Sequence, residues 1–192
     1  MKFVKELKAC YFSRDKEIGE VSFADGLCDV TDPCYDQDTW CALYDVKILP
    51  GMYKAFVDEV NFPSVWEWDE ADVGHVIGDQ EVMTDVRIMT LTIIHKDYVD
   101  KYTGGEYHKY ILSDQIGVDA GMCGFYNHKP DFKEDDEWTK FWQSLDVSED
   151  GRTCDCDHAN GVTVSSGFGD GVYTVYKITH NRKVIGLQLR FN

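Results

Sequence analysis

Gly161-Val-Thr-Val-Ser-Ser-Gly-Phe-Gly-Asp-Gly-Val-Tyr-Thr-Val-Tyr176 reads as strand, corner, strand. Valine, threonine and tyrosine on both flanks suit a pleated, half-buried backbone. Between them Gly167, Gly169 and Gly171 alternate with Phe168 and Asp170. Glycine is required where the chain takes positive φ or where something must approach the backbone closely. A tightly specified corner between two strands is therefore expected here, and with it a chain organised around β-structure.

Working outward, the C-terminal side continues as a hairpin. Ile185, Leu187, Leu189 and Phe191 are expected on one face and Gly186, Gln188 and Arg190 on the other, with His180-Asn-Arg182 as the turn. On the N-terminal side, Glu134 to Leu145 carries helical periodicity: Trp138, Phe141, Trp142 and Leu145 fall at i, i+3, i+4, i+7 and form one apolar stripe. Glu134, Asp135, Asp136 and Glu137 fill its first turn, where the helix dipole favours negative charge. Earlier still, Asp114 to Phe125 is a second strand-like piece punctuated by glycine, and Lys96 to Gly105 suits a short helix closed by Gly104-Gly105. Asp85 to His95 has apolar residues on both alternating sets, as a central strand covered on both faces would. Tyr44 to Leu49, Pro50-Gly51 and Met52 to Val57 read as a hairpin about a type II turn. A first strand over Glu17 to Phe23 and a second from Cys28 to Asp32 flank the turn Ala24-Asp-Gly26, and Pro33 ends the second. The expected fold is mainly β (α+β): an antiparallel β-sandwich or rolled sheet with one amphipathic covering helix near 134–145, forming a single acidic domain over 1–192.

The chain has 35 acidic and 19 basic residues, a net charge of −16. Such a field repels nucleic acid and anionic membrane and attracts a basic protein, so direct nucleic-acid or membrane binding is not expected. Met1 to Lys8 is charged and lacks the apolar core of a signal peptide, so a soluble cytoplasmic protein is expected. Seven cysteines without regular spacing suit free thiols in a reducing compartment.

Four pieces taken together, Val30-Thr-Asp-Pro33, Leu49-Pro-Gly-Met-Tyr53, Gly117-Val-Asp-Ala-Gly121 with Phe125, and Ser165-Ser-Gly-Phe-Gly-Asp-Gly171 with Tyr173, resemble a family of uncharacterised bacterial and phage β-rich domains. The resemblance spans roughly residues 20–192 and implies a fold and a class of organism; it brings no established activity.

Candidate chemistry is sparse. Asp32, Asp119 and Asp170 sit in three turn-like pieces and either converge as a carboxylate cluster or each bond the backbone of a turn. Ser166 and Cys123, in glycine-rich company, are the weak nucleophile candidates, with Asp119 and Asp170 as acids; no histidine falls in a recognisable frame. Cys154, Cys156 and His158 are soft ligands in a spacing unusual for zinc, so no cofactor is expected. Trp66, Glu67, Trp68, Asp69, Glu70 and Asp72, with Phe168, are the candidate binding surface, since aromatics are enriched at interface cores. The balance favours a non-enzymatic acidic module that occupies a basic or nucleic-acid-binding surface of a partner, such as a phage-encoded inhibitor. The alternative is a small-ligand binder or hydrolase with a carboxylate-containing pocket near Asp119 and Asp170.

Overall fold

In the computed structural model, the residues described are 10–36, 38–64, 67–68, 74–75, 83–129, 131–132, 135–145, 154–158 and 160–191. Six strands make one antiparallel sheet in the order β1 (Cys10–Phe23), β4 (Gly51–Ser64), β7 (Met83–His95), β13 (Lys183–Arg190), β12 (Gly171–His180) and β8 (His108–Val118). Five make the second, in the order β10 (Cys154–His158), β11 (Gly161–Ser165), β9 (Met122–Tyr126), β2 (Leu27–Thr31) and β3 (Leu43–Lys47). The two-residue strands β5 (Glu67–Trp68) and β6 (Gly74–His75) pair with each other. The sheets face one another across a core that includes Phe23, Tyr53, Leu91, Phe125, Leu187 and Phe191. The expected antiparallel β-sandwich is the architecture found.

Each sheet also carries an outer layer. A 3-10 turn at Lys96–Tyr98 and α1 (Val99–Thr103) cover the outside of the six-stranded sheet, where Tyr102 meets Phe56, Ile94 and Ile178. β7 therefore buries both its faces over Leu91–Ile94, as the apolar residues on both of its alternating sets suggested. The amphipathic helix is α2 (Asp135–Ser144), whose Phe141 and the following Leu145 pack on Met122. Trp138 stacks on Phe141 at 5.7 Å, but Trp142, expected in the same stripe, is 53% exposed. A helix that meets only one corner of a five-stranded sheet buries a narrow stripe, and Trp142 lies outside it.

Two further expectations change. The segments Tyr44–Leu49 and Met52–Val57 do not form a hairpin: β3 pairs with β2 in one sheet and β4 with β1 and β7 in the other. Gly51 has φ 142° instead of the roughly +80° that a type II turn needs at this position, so the expected turn does not form and the chain crosses between sheets here. Primed turns, by contrast, match the twist of paired strands. The β12–β13 turn, with Asn181 at φ 47° and Arg182 at φ 65°, is of the primed kind and does close a hairpin. Within that hairpin a bulge between Ile178/Gly186 and Thr179/Val184 shifts the register. It sends Ile185 to the outer cluster with Tyr102, while Leu187, Leu189 and Phe191 stay in the main core.

The outer face of the five-stranded sheet is shaped by glycine. Tyr126 lies flat across it, fully buried, with its hydroxyl 2.8 Å from Thr163 Oγ1. A side chain at Gly124 would place Cβ 2.6 Å from the Tyr126 hydroxyl, and Gly161 stands against the same ring. Gly124→Ala is expected to lower the unfolding free energy by about 1–3 kcal/mol, the usual range for overpacking, measured by urea denaturation.

Candidate functional site

β1→β2, β3→β4, β8→β9 and β11→β12 each carry the chain from one sheet to the other. At such a corner the backbone leaves its ladder, and its amides lose their strand partners. Buried amides without acceptors are costly. In this chain aspartates accept them.

Asp32 follows β2, where Pro33 prevents the strand from continuing. Its side chain is fully buried. Oδ1 accepts the Cys34 amide at 2.9 Å, and Oδ2 accepts the amides of Asp119 and Ala120 at 2.7 Å each. Those two amides begin the β8→β9 corner. The next residue, Gly121, has φ +64° and donates its amide to Asp170 Oδ1 at 3.0 Å. Its carbonyl accepts the Ser166 amide at 3.0 Å. The glycine-rich corner is closed internally: Ser166 Oγ donates to Gly169 O at 2.6 Å, and the Tyr173 hydroxyl to the same oxygen at 2.8 Å. Three turn-like pieces far apart in sequence thus meet in one junction.

The three aspartates picked from sequence do come together, with different roles. Asp32 and Asp170 bond backbone amides of another segment, and the Asp119 side chain is exposed. Ser166 is 3% exposed with its hydroxyl engaged, and Cys123 lies within the core. Burial pushes the thiols of Cys123 and Cys28 well above their ordinary value, and Cys34 is raised by burial and by its bond to Asp32. A thiol held protonated is a poor nucleophile.

Beside the junction, Arg87 of β7 reaches the glycine corner. Nη1 donates to Gly167 O at 3.2 Å, and the guanidinium stacks over the Phe168 ring at 5.0 Å. A shallow cleft of about 320 Å³ opens here, lined by Val86, Arg87, Ile88, Ser165, Gly167, Phe168 and Gly169. Its charged lining group is a cation, and the Asp119 and Asp170 side chains are not part of it.

The sequence reading missed Asp29 and Lys129. Asp29 accepts the Asp45 amide at 2.9 Å and the Lys129 amide at 2.7 Å. An aspartate inside the otherwise uncharged strand Leu27–Thr31 was the available signal, since a buried carboxylate needs donors. Lys129 is 5% exposed, and burial lowers its amine from the ordinary lysine value. At the opposite end of the sandwich Asp25 accepts the Leu27 amide at 3.0 Å and lies 2.8 Å from His128 Nε2.

Of the remaining candidates, Trp66, Asp69, Glu70 and Asp72, and the side chains of Glu67, Trp68, Cys154 and His158, lie outside the described residues. Cys156 donates to the Glu20 carbonyl at 3.3 Å. Among the described residues no group of three His, Cys, Asp or Glu side chains is arranged to hold a metal ion. Phe168 is 49% exposed above the cleft. Among the same residues no helix is long and apolar enough to cross a membrane. The chain matches no known family model, curated protein or solved structure.

Asp32→Ala leaves three amides without their acceptor and is expected to destabilise by at least about 1–3 kcal/mol, the cost of one buried unsatisfied donor. Asp119→Ala removes an exposed carboxylate and is expected to change stability by less than about 0.5 kcal/mol; thermal and urea denaturation of both variants compare them. In native protein at about pH 8, Cys28, Cys34 and Cys123 are expected to resist iodoacetamide until the chain unfolds, as read by peptide mass.

Proposed function

We propose that this protein is an acidic, non-enzymatic binding module that occupies a basic surface of a partner protein. The placement of its charge carries this reading. On the larger sheet and its covering segment several carboxylates are matched by lysines, Glu17 with Lys54, Glu20 with Lys96, and Glu106 with Lys101, while Asp100 is exposed and forms no ion pair with a described residue. Around the junction, Asp38, Asp114, Asp119 and Asp170 are exposed and form no ion pair with a described basic residue. A rigid scaffold bearing unmatched negative charge attracts a cationic surface and limits the entropy lost on docking. A surface that ordinarily binds nucleic acid has the matching chemistry. The family resemblance suggests only a phage or bacterial origin; the charge is the ground for proposing a cytoplasmic inhibitor as the form of this module.

The second reading, a small-ligand site, draws on the Arg87–Phe168 cleft, whose single cation suits an anionic ligand better than a carboxylate-based hydrolase does. The two readings separate on salt. Affinity for poly-lysine is expected to fall by about tenfold or more between low and physiological salt, because exposed charges are screened within roughly 8–10 Å. Failure to bind poly-lysine at low salt overturns the binding-module reading.

A further inference from the structure

β8 is an edge strand: β12 pairs along one side of it, and no described strand pairs along the other. An open edge presents unpaired N–H and C=O groups to any extended chain. Apolar side chains gather along this one. Tyr110, Ile111 and Leu112 are 52%, 62% and 36% exposed, and Val172, on β12, is 62% exposed. Trp40, at 81% exposure, and Val172 lie beside a point further along β8: Val172 is paired with Gly117, six residues from Ile111, and the Gly117 amide donates to the carbonyl of Cys41, next to Trp40. Unmatched carboxylates gather toward this Gly117 end of the strand. Asp38 precedes Trp40 by two residues, Asp114 lies on β8, Asp119 follows β8 and Asp170 precedes β12. Lys109 is drawn back from the edge, with its amine 2.8 Å from Gln188 Oε1 and over the Tyr176 ring at 5.0 Å.

Resting on the binding-module reading above, we infer that β8 is the docking edge, and that its occupant is an extended partner segment with alternating basic and apolar residues. Such a segment adds to the sheet through backbone bonds along the regularly paired stretch His108–Ile111. Continuing past the bulges, an extended segment of about eight residues, roughly 26 Å long, reaches from Ile111 to Val172, and there a basic side chain meets the carboxylates or stacks on Trp40. A second copy of this chain is disfavoured, since it brings the same carboxylates to the same edge. The bulges in β8 beyond Ile111 interrupt the ladder and restrict pairing to a short register, which limits indiscriminate association.

The test uses an eight-residue peptide of alternating arginine and valine, with poly-lysine in parallel, titrated by calorimetry at low salt. Ile111→Lys places a cation on the edge; Met52→Lys makes the same charge change at a residue 40% exposed on β4, four strands away from β8 across the same sheet. Ile111→Lys and Trp40→Ala are each expected to weaken peptide binding at least tenfold, and Met52→Lys by less than threefold. Equal losses in the two lysine variants, or no loss in Trp40→Ala, overturn the assignment of the edge while leaving the charge-based reading intact. Absence of binding to both poly-lysine and peptide overturns both.

Discussion

A carboxylate buried at the end of a strand, accepting three backbone amides, is the interaction on which the arrangement of corners depends. Taking a charge out of water is costly unless hydrogen bonds replace the hydration shell. Asp32 obtains three such bonds, two of them from a corner 87 and 88 residues further along the chain. The same bonds satisfy amides that the crossing from β8 to β9 strips of ladder partners. Asp170 does this once more at Gly121, and Asp29 twice on the outside of the smaller sheet. Part of the chain's acid content is thus structural, and the net charge of −16 overstates what is available to a partner.

The fold class was legible because local signals agreed. β-branched and aromatic runs, turn residues and one helical stripe all pointed to strands with a covering helix. The same signals could not assign strands to sheets. Asp25-Gly26, Pro50-Gly51 and the Gly167–Gly171 corner all join strands in different sheets, whereas Asn181-Arg182 closes a hairpin. Gly51 does not adopt the turn conformation its sequence suggested, whereas Asn181 and Arg182 adopt the primed one. The exposure of Trp142 and the reversal of Ile185 were hidden for a different reason. Each depends on a partner surface or a bulge that periodicity within one segment does not encode.

For the candidate site, the turn-like pieces singled out three aspartates and left their roles open. Asp32, Asp119 and Asp170 were picked as turn aspartates, and they do meet. Bonds to a distant backbone cannot be read from local spacing, so neither their convergence nor the different role of Asp119 was visible. Asp29 carried the clearest unread signal, a charge within an uncharged strand. Where the unmatched carboxylates fall is likewise a product of topology. Asp119 and Asp170 meet at the Val118 end of β8 and Asp114 lies along it, which links the fold to the proposed binding of a basic segment.

The central claim is that Asp32 holds the β8→β9 corner as firmly as the core holds the strands. Native-state hydrogen exchange of the Asp119 and Ala120 amides tests it directly, because exposed corner amides exchange through local opening while structurally locked ones wait for global unfolding. Protection of both amides equal to that of core strand amides such as Leu187 is the result this account predicts. Exchange as fast as that of an open surface loop, with the core still protected, would contradict it.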